Sequence, residues 1–335
     1  MTLITYPTRV HFADDVLEEA LHSELERAKA KRVLLVCDKS FADTELADRV
    51  LSGLPARLST DKLVFTPSSD LRAISSEASV QHDAILAFGS AMAVELGRKC
   101  RGAMQKRHGT RPELFAVPGV DGLPDPCGKN LESPRAGLPS VLICDPTVAL
   151  GSGQGASLNA SILSLIRCLE SYLARSYNPP ADGMALDGLS RCIVTMPKIS
   201  DRSDLNVHRE LMAACLNAAL SLEKGLGPTQ RISAVLARKE EVGNLAAIAR
   251  LILPGVMRAR AIDDEKAEVL SNVLGGAPLD AAMRRLLSDV PMPRTLADLG
   301  VSRHTLDEAA QSVDGTAGLT VDHARDLLEE VYEEA

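Results

Sequence analysis

The chain has 335 residues, 45% of them hydrophobic, with a formal charge of −8 and an isoelectric point near 5.5. That length exceeds what one compact core usually spans, so two domains are expected in a globular protein. The acidic balance argues against nucleic acid or an anionic membrane as main partner, since both demand a basic surface, and points to a small molecule or a protein.

No apolar run has the length of a membrane span, and the opening Met1-Thr2-Leu3-Ile4-Thr5-Tyr6-Pro7 lacks the basic and apolar regions of a signal peptide. A cytoplasmic location is therefore expected. The seven cysteines, Cys37, Cys100, Cys127, Cys144, Cys168, Cys192 and Cys215, form neither a C-x-x-C pair nor a zinc spacing, which suits reduced thiols. With no tryptophan and only 3% aromatics, the core must be built from Leu, Ile, Val and Ala.

In chain order, residues 1–150 predict an α/β domain and residues 151–335 an all-helical one. A first amphipathic helix carries Val16, Leu17, Ala20, Leu21, Leu25 and Ala28, followed by a buried strand at Val33-Leu34-Leu35-Val36. Further strands are predicted at 62–65, 84–88, 114–117 and 141–143, with helices around 41–52, 70–79 and 90–105. This alternation favours parallel strands joined by helical crossovers. From Ser157 the helical period takes over. One helix spans 157–175 with Leu158, Ile162, Leu165, Ile166, Leu169, Tyr172 and Leu173 on a wide apolar face, and Asn178-Pro179-Pro180 stops it. Later helices are predicted near 181–194, 205–224, 229–253, 261–273, 277–288, 303–312 and 321–333.

Several local patterns occur in a telling order. Lys129 precedes Leu138-Pro139, Val141 and Asp145-Pro146, and Glu170 precedes Asn178-Pro179. Next come Asp204-Leu205 through Leu222, Gly225-Leu226-Gly227, Leu251-Ile252-Leu253-Pro254-Gly255-Val256, and Pro293 to Val301, with Leu319-Thr320 before the last helix. In these the chain resembles the iron-containing (group III) alcohol dehydrogenase and dehydroquinate synthase-like superfamily, most of all its maleylacetate reductase branch. The resemblance implies a Rossmann-like dinucleotide-binding domain, an all-helical C-terminal domain and an active site in the cleft between them. It also implies a homodimer, NAD or NADP as cofactor, and a small anionic oxo or unsaturated acid as substrate.

The family holds a divalent metal with an Asp and three His, the first two at i and i+4 on one helix face. Counted back from Glu170, those two positions are Leu163 and Arg167, and the later two fall near Gln230 and Asn244 or Leu245. Leucine has no donor atom and a guanidinium repels a cation, so no metal is expected. His208, His304 and His323 stand alone in the helical half and read as isolated surface or helix-end histidines.

The family's glycine-rich phosphate turn reads here Ala87-Phe88-Gly89-Ser90, so Gly89 and Ser90 are candidate phosphate donors at a helix N-terminus. The competing reading is an ordinary strand-to-helix turn. Two further family cofactor positions carry Ala93 and Leu96. Asp38, directly after a strand, can accept a ribose hydroxyl and would favour NAD over NADP, or it can cap the next helix. The loop that contacts nicotinamide in the family corresponds to Pro118 through Pro126 and has lost its threonines and its Ser-Glu pair. Lys129 keeps its family position and is a candidate for a phosphate or carboxylate, or else a solvated loop lysine. Arg167 could fix an anionic ligand bidentately; an i, i+3 ion pair with Glu170 is the simpler alternative.

Two functions follow. One is a metal-independent NAD(P)H-dependent oxidoreductase, passing a hydride to an acid held by Lys129 and Arg167, with no proton donor nominated. The other is a catalytically lapsed or repurposed member, a pseudoenzyme that binds a small anion or a protein partner.

Overall fold

The structure, a computed structural model, describes residues 8–66, 68–70, 73–75, 80–120, 139–150, 153–199, 204–239, 244–288, 290–313 and 318–333. They fall into two compact units: those within Ile4–Ser157 and Ile199–Met212, and those within Leu158–Lys198 and Ala213–Ala335. Among the described residues no helix is long and apolar enough to cross a membrane.

The first unit is built on a parallel sheet of β1 (Arg9–Phe12), β2 (Arg32–Asp38), β3 (Ser59–Phe65), β4 (Ala84–Gly89), β5 (Glu113–Pro118) and β6 (Val141–Cys144), in the order β1-β6-β5-β4-β2-β3. Its central strands are covered on both faces, which is why β2, β4, β5 and β6 read as unbroken apolar runs rather than alternating ones. Helices α1 (Leu17–Arg27), α2 (Lys39–Ala42), α3 (Glu45–Ser52), α4 (Ala91–His108) and α5 (Pro146–Ala149) complete this unit's described elements up to Ala149. α1 buries Leu17, Leu21 and Leu25 fully, and these residues share one core with Val33, Leu35, Phe88, Phe115 and Ile143. Each such side chain contributes roughly 1.5–3 kcal/mol on leaving water.

Two edges differ from the prediction. β1 carries no apolar run: Arg9, Val10, His11 and Phe12 alternate between half-buried and exposed, and only pairing with β6 reveals the strand. β3 begins at Ser59 rather than 62, because its first residues are polar and lie on the other edge, where charged residues are tolerated. The helix predicted over 70–79 lies partly outside the described residues.

Asp145, at the carboxyl end of β6, is fully buried and accepts the N–H groups of Asp15 (3.1 Å), Leu17 (3.2 Å) and Thr147 (2.9 Å) and the Thr147 hydroxyl (2.7 Å). Arg49 reaches the same carboxylate at 3.3 Å while holding Glu18 at 2.6 Å. One side chain thus closes the N-termini of α1 and α5 and fixes both to the last strand. Within the same unit, Arg209 donates to Asp14 at 3.1 Å.

The second unit is helical, and among the described residues no strand follows Cys144. Its helices are α6 (Gln154–Leu173), α7 (Pro179–Thr195), α8 (Leu205–Ser221), α9 (Pro228–Lys239), α10 (Leu245–Ala259), α11 (Asp264–Val273), α12 (Leu279–Ser288), α13 (Leu306–Gln311) and α14 (Val321–Glu330), with the first residues of α6 and α8 falling in the α/β unit. α6 turns Ile162, Leu165, Ile166 and Leu169 into the core, and Asn178 caps α7 through Ala181 N–H at 3.2 Å with Pro179 in the first turn. The single helix predicted over 229–253 is two. Asn244 starts α10 by accepting Ala247 N–H at 3.1 Å, and α10 then runs through Pro254 to Ala259.

The acidic partners in the first unit set a pH dependence. The Arg49 guanidinium holds Glu18 below the ordinary value of 4.5. At Glu24 burial pushes the other way, but hydrogen bonds from Arg9 and His11 outweigh it and leave this carboxyl low as well. A lowered folded-state pKa adds stability that is complete above the ordinary value of 4.5 and disappears as pH falls through the folded value. The melting temperature should therefore fall steeply as pH drops below about 4.5, and Glu24→Gln should flatten that fall in melts recorded across pH.

Candidate functional site

β2 lies between β3 on one side and β4 on the other, so the chain reverses its direction of travel across the sheet at the β2/β4 boundary. Ligands of open α/β sheets bind beyond the carboxyl ends of the strands at such a reversal. Here those ends are Asp38 and Gly89, with Cys37 paired to Phe88 in register.

Gly89 sits at φ +104, a conformation that favours glycine. A Cβ there would lie 2.8 Å from the Phe41 ring and 3.1 Å from an Asp38 oxygen, so both groups press on the bare backbone. Phe88 does not project into the turn. It is 1% exposed and packs edge-on to Phe41 at 5.5 Å between centroids, inside the core. Ser90 stands at the N-cap of α4 but does not cap it with its own side chain. Its hydroxyl donates to Asp38 at 2.7 and 2.8 Å and its N–H donates to Asp38 at 3.1 Å. The anion at the amino end of α4 is therefore the carboxylate of the neighbouring strand, a favourable place for negative charge.

The structure thus brings Asp38, Gly89 and Ser90 together and joins the first and third directly. Asp38 is 6% exposed, and its two oxygens keep lone pairs beyond those used by Ser90. Ala93 and Leu96 are fully buried and face the core. Pro118 pairs with Gly89, and Gly119 N–H reaches the Gly89 carbonyl at 2.8 Å. Residues 121–126 of the loop, and Lys129, lie outside the described residues.

In the helical unit Glu170 holds Gln230, one of the positions matched to the family metal. It is 1% exposed and accepts Thr229 N–H (2.7 Å), Gln230 N–H (3.2 Å) and the Gln230 side-chain amide (3.1 Å), closing the N-terminus of α9. Burial pushes its carboxyl above the ordinary range against the pull of these donors. Gly227 is required there, because a Cβ would lie 2.3 Å from the Glu170 carboxyl carbon. Arg167 is buried at 7% exposure and is engaged within the fold.

Gln230 donates to Glu170, Asn244 caps α10, Leu245 opens that helix, and Leu163 is half-buried. An isobutyl group, a guanidinium and two amides already committed to helix ends do not fit a divalent cation, which takes carboxylate and imidazole donors. Among the described residues no group of three or more His, Cys, Asp or Glu is placed to hold a metal. His208 is buried on α8, while His304 and His323 are exposed on separate elements.

The fold defines a class: a doubly wound parallel α/β unit, with its turn at the switch point, joined in one chain to a helical unit. No family model matches the chain. It is 25% identical to 4-hydroxybutyrate dehydrogenase of Cupriavidus necator, over 96% of this chain and 94% of that one. With maleylacetate reductase of Rhizobium sp. (strain MTP-10005) the identity is 24%, over 92% and 89%. The solved structure of sulfoacetaldehyde reductase from Bifidobacterium kashiwanohense, in complex with NAD+, superposes with a TM-score of 0.82 over all of both chains at 15% identity. The homologues and structural neighbours of the chain are members of the iron-containing alcohol dehydrogenase family, and it has their fold.

Two residues central to this geometry, Asp145 and Gly227, were visible in the sequence only as parts of a spacing pattern, because their roles depend on what folds against them. Gly227→Ala should destabilise the protein by about 1–3 kcal/mol, the usual cost of overpacking. Urea unfolding measures it, and an unchanged midpoint would contradict the Glu170 contact.

Proposed function

We propose that the chain is an NAD-linked oxidoreductase that works without the divalent metal of its family and acts on a small anionic oxo or unsaturated acid. The observation that supports it is the Asp38 carboxylate, held by Ser90 at the tip of β2 beside the Gly89 turn, where a switch-point fold places its nucleotide. When bound, the nicotinamide cofactor supplies or accepts the hydride. Gly89 leaves room for close approach of the backbone, the amino end of α4 offers a positive dipole to phosphate, and Asp38 accepts a ribose hydroxyl. A fixed carboxylate repels a 2′-phosphate, which selects NAD over NADP. Lys129 and Arg167 are the groups we assign to the substrate anion. A homodimer in the cytoplasm, with no nucleic acid or membrane partner, completes the proposal and rests on the resemblance and the acidic charge.

A second reading, a repurposed scaffold without dehydrogenase activity, is favoured by one specific observation. Ser90, Gln230 and Asn244, three of the positions matched to the family's cofactor and metal sites, form hydrogen bonds inside the protein.

Titration with NADH and NADPH by cofactor fluorescence, with metal analysis of the same preparation, separates the two. Submillimolar NADH binding, tighter than NADPH and without bound metal, is the expected result, and Asp38→Ala should narrow the preference between the two nucleotides. No binding of either would remove the oxidoreductase reading. Stoichiometric iron or zinc would overturn the metal-free one.

A further inference from the structure

The helical unit contains a cavity of about 560 Å³ between the end of α6 and the start of α11, walled by Leu173, Arg175, Arg260, Ile262, Asp263 and Lys266. None of its residues belongs to the positions matched to the family's metal or nucleotide sites. Arg260, the residue after α10, is 7% exposed. One guanidinium nitrogen donates to the Leu173 carbonyl at 2.9 Å, while Nε and Nη1 are buried with no hydrogen-bond partner. An arginine carries five donors and stays charged, so a buried fork with two idle nitrogens is costly unless an acceptor arrives.

The surroundings add positive charge. Burial and the nearby Arg175 both lower the Arg260 pKa, with Glu170 acting in the opposite direction. Lys266 donates to the carbonyls of Tyr172 (2.7 Å) and Ala174 (3.0 Å), which leaves its third proton for another acceptor. Its ammonium lies 5.3 Å from the Tyr172 ring centroid, and burial together with Lys224 and Arg260 depresses its pKa. The three carboxylates acting here are committed elsewhere, Asp182 to its ion pair with Lys224. Asp263 accepts Glu265 and Lys266 N–H groups to cap α11, and Glu170 is held by Thr229 and Gln230. Three cations therefore share one cavity in which the only acidic wall residue is turned to a helix end.

We propose that this cavity is a binding site for a small oxyanion, a phosphate or a carboxylate, gripped by Arg260 with Arg175 and Lys266. The planar guanidinium suits two oxygens of one such group, and the lysine adds a point charge.

The test is calorimetric titration of the full chain with inorganic phosphate and, separately, with malonate, each against sodium chloride of equal ionic strength. Saturable binding of either that Arg175→Ala weakens supports the site, and which of the two binds identifies the phosphate or the carboxylate source. Arg175→Ala and Arg260→Gln should each weaken that binding about tenfold, the effect of losing one charge-assisted contact. Arg303→Ala, on an exposed arginine paired with Glu329, should leave it unchanged. Arg175 is exposed, so its variant decides the matter even where Arg260→Gln fails to fold. No saturable binding of either anion, or wild-type affinity in Arg175→Ala, overturns the proposal. Binding that Arg175→Ala leaves at wild-type affinity belongs to the substrate or nucleotide site of the oxidoreductase reading and not to this cavity, so the two readings fail separately.

Discussion

The α/β unit depends on one buried anion. Asp145 is fully excluded from water, yet three backbone N–H groups, a hydroxyl and the Arg49 guanidinium surround its carboxylate. A carboxylate in an apolar interior is tolerated only with that many partners. Because the donors come from the segment entering α1, from the first turn of α5 and from α3, satisfying one charge fixes where three helices meet the carboxyl edge of the sheet. Two other buried acids repeat the device. Asp38 holds the amino end of α4 through Ser90, and Glu170 holds that of α9 through Thr229 and Gln230. In each case a helix terminus that needs a negative partner receives one from the protein itself.

This has a direct consequence for ligands. A helix N-terminus binds phosphate because its N–H groups and dipole are unsatisfied. At α4 the Ser90 N–H is already taken by Asp38, so a nucleotide bound as proposed would share the helix end with a fixed negative charge. On the proposed NAD reading, the carboxylate that repels a 2′-phosphate therefore also weakens the grip on the pyrophosphate. That reading couples selectivity and affinity through Asp38, which Ser90 orients.

The legible part of the sequence was the part whose signal is local. Val33 to Val36, the 84–89 and 113–118 strands and the apolar face of α6 announce themselves by composition or period, because burial on both faces or along one stripe leaves a pattern in the chain. β1 was not legible, since four residues alternating Arg, Val, His and Phe become a strand only through pairing with β6. The break before α10 was missed because apolar periodicity continues on both sides of Asn244 and hides its cap. At the candidate site, Asp38, Gly89 and Ser90 could each be named in advance, but the bond between Asp38 and Ser90 could not, as their partnership spans 52 positions. Arg260 carried no signal at all. An arginine after a helix is ordinary, and only the fold shows it buried with two idle nitrogens.

Glu170 and the residues around it show why the resemblance is carried by the scaffold. Glu170, Asn178, Gly227 and Asp145 match the family pattern, and each has a packing task visible in this structure: closing α9, capping α7, admitting the Glu170 carboxyl and joining the sheet to its helices. Removing any of them leaves a buried donor unpaired or a clash, so they are required whatever the protein does. Leu163, Arg167, Gln230 and Asn244 or Leu245 stand where the sequence resemblance counts the family's metal ligands. Gln230 and Asn244 form hydrogen bonds within the helical unit. A metal site costs stability, because it gathers like-charged donors that only the ion can satisfy. On the metal-free reading, an amide that donates to a buried acid, as Gln230 does, and one that caps a helix, as Asn244 does, avoid that cost, so such a fold persists without the ligand set.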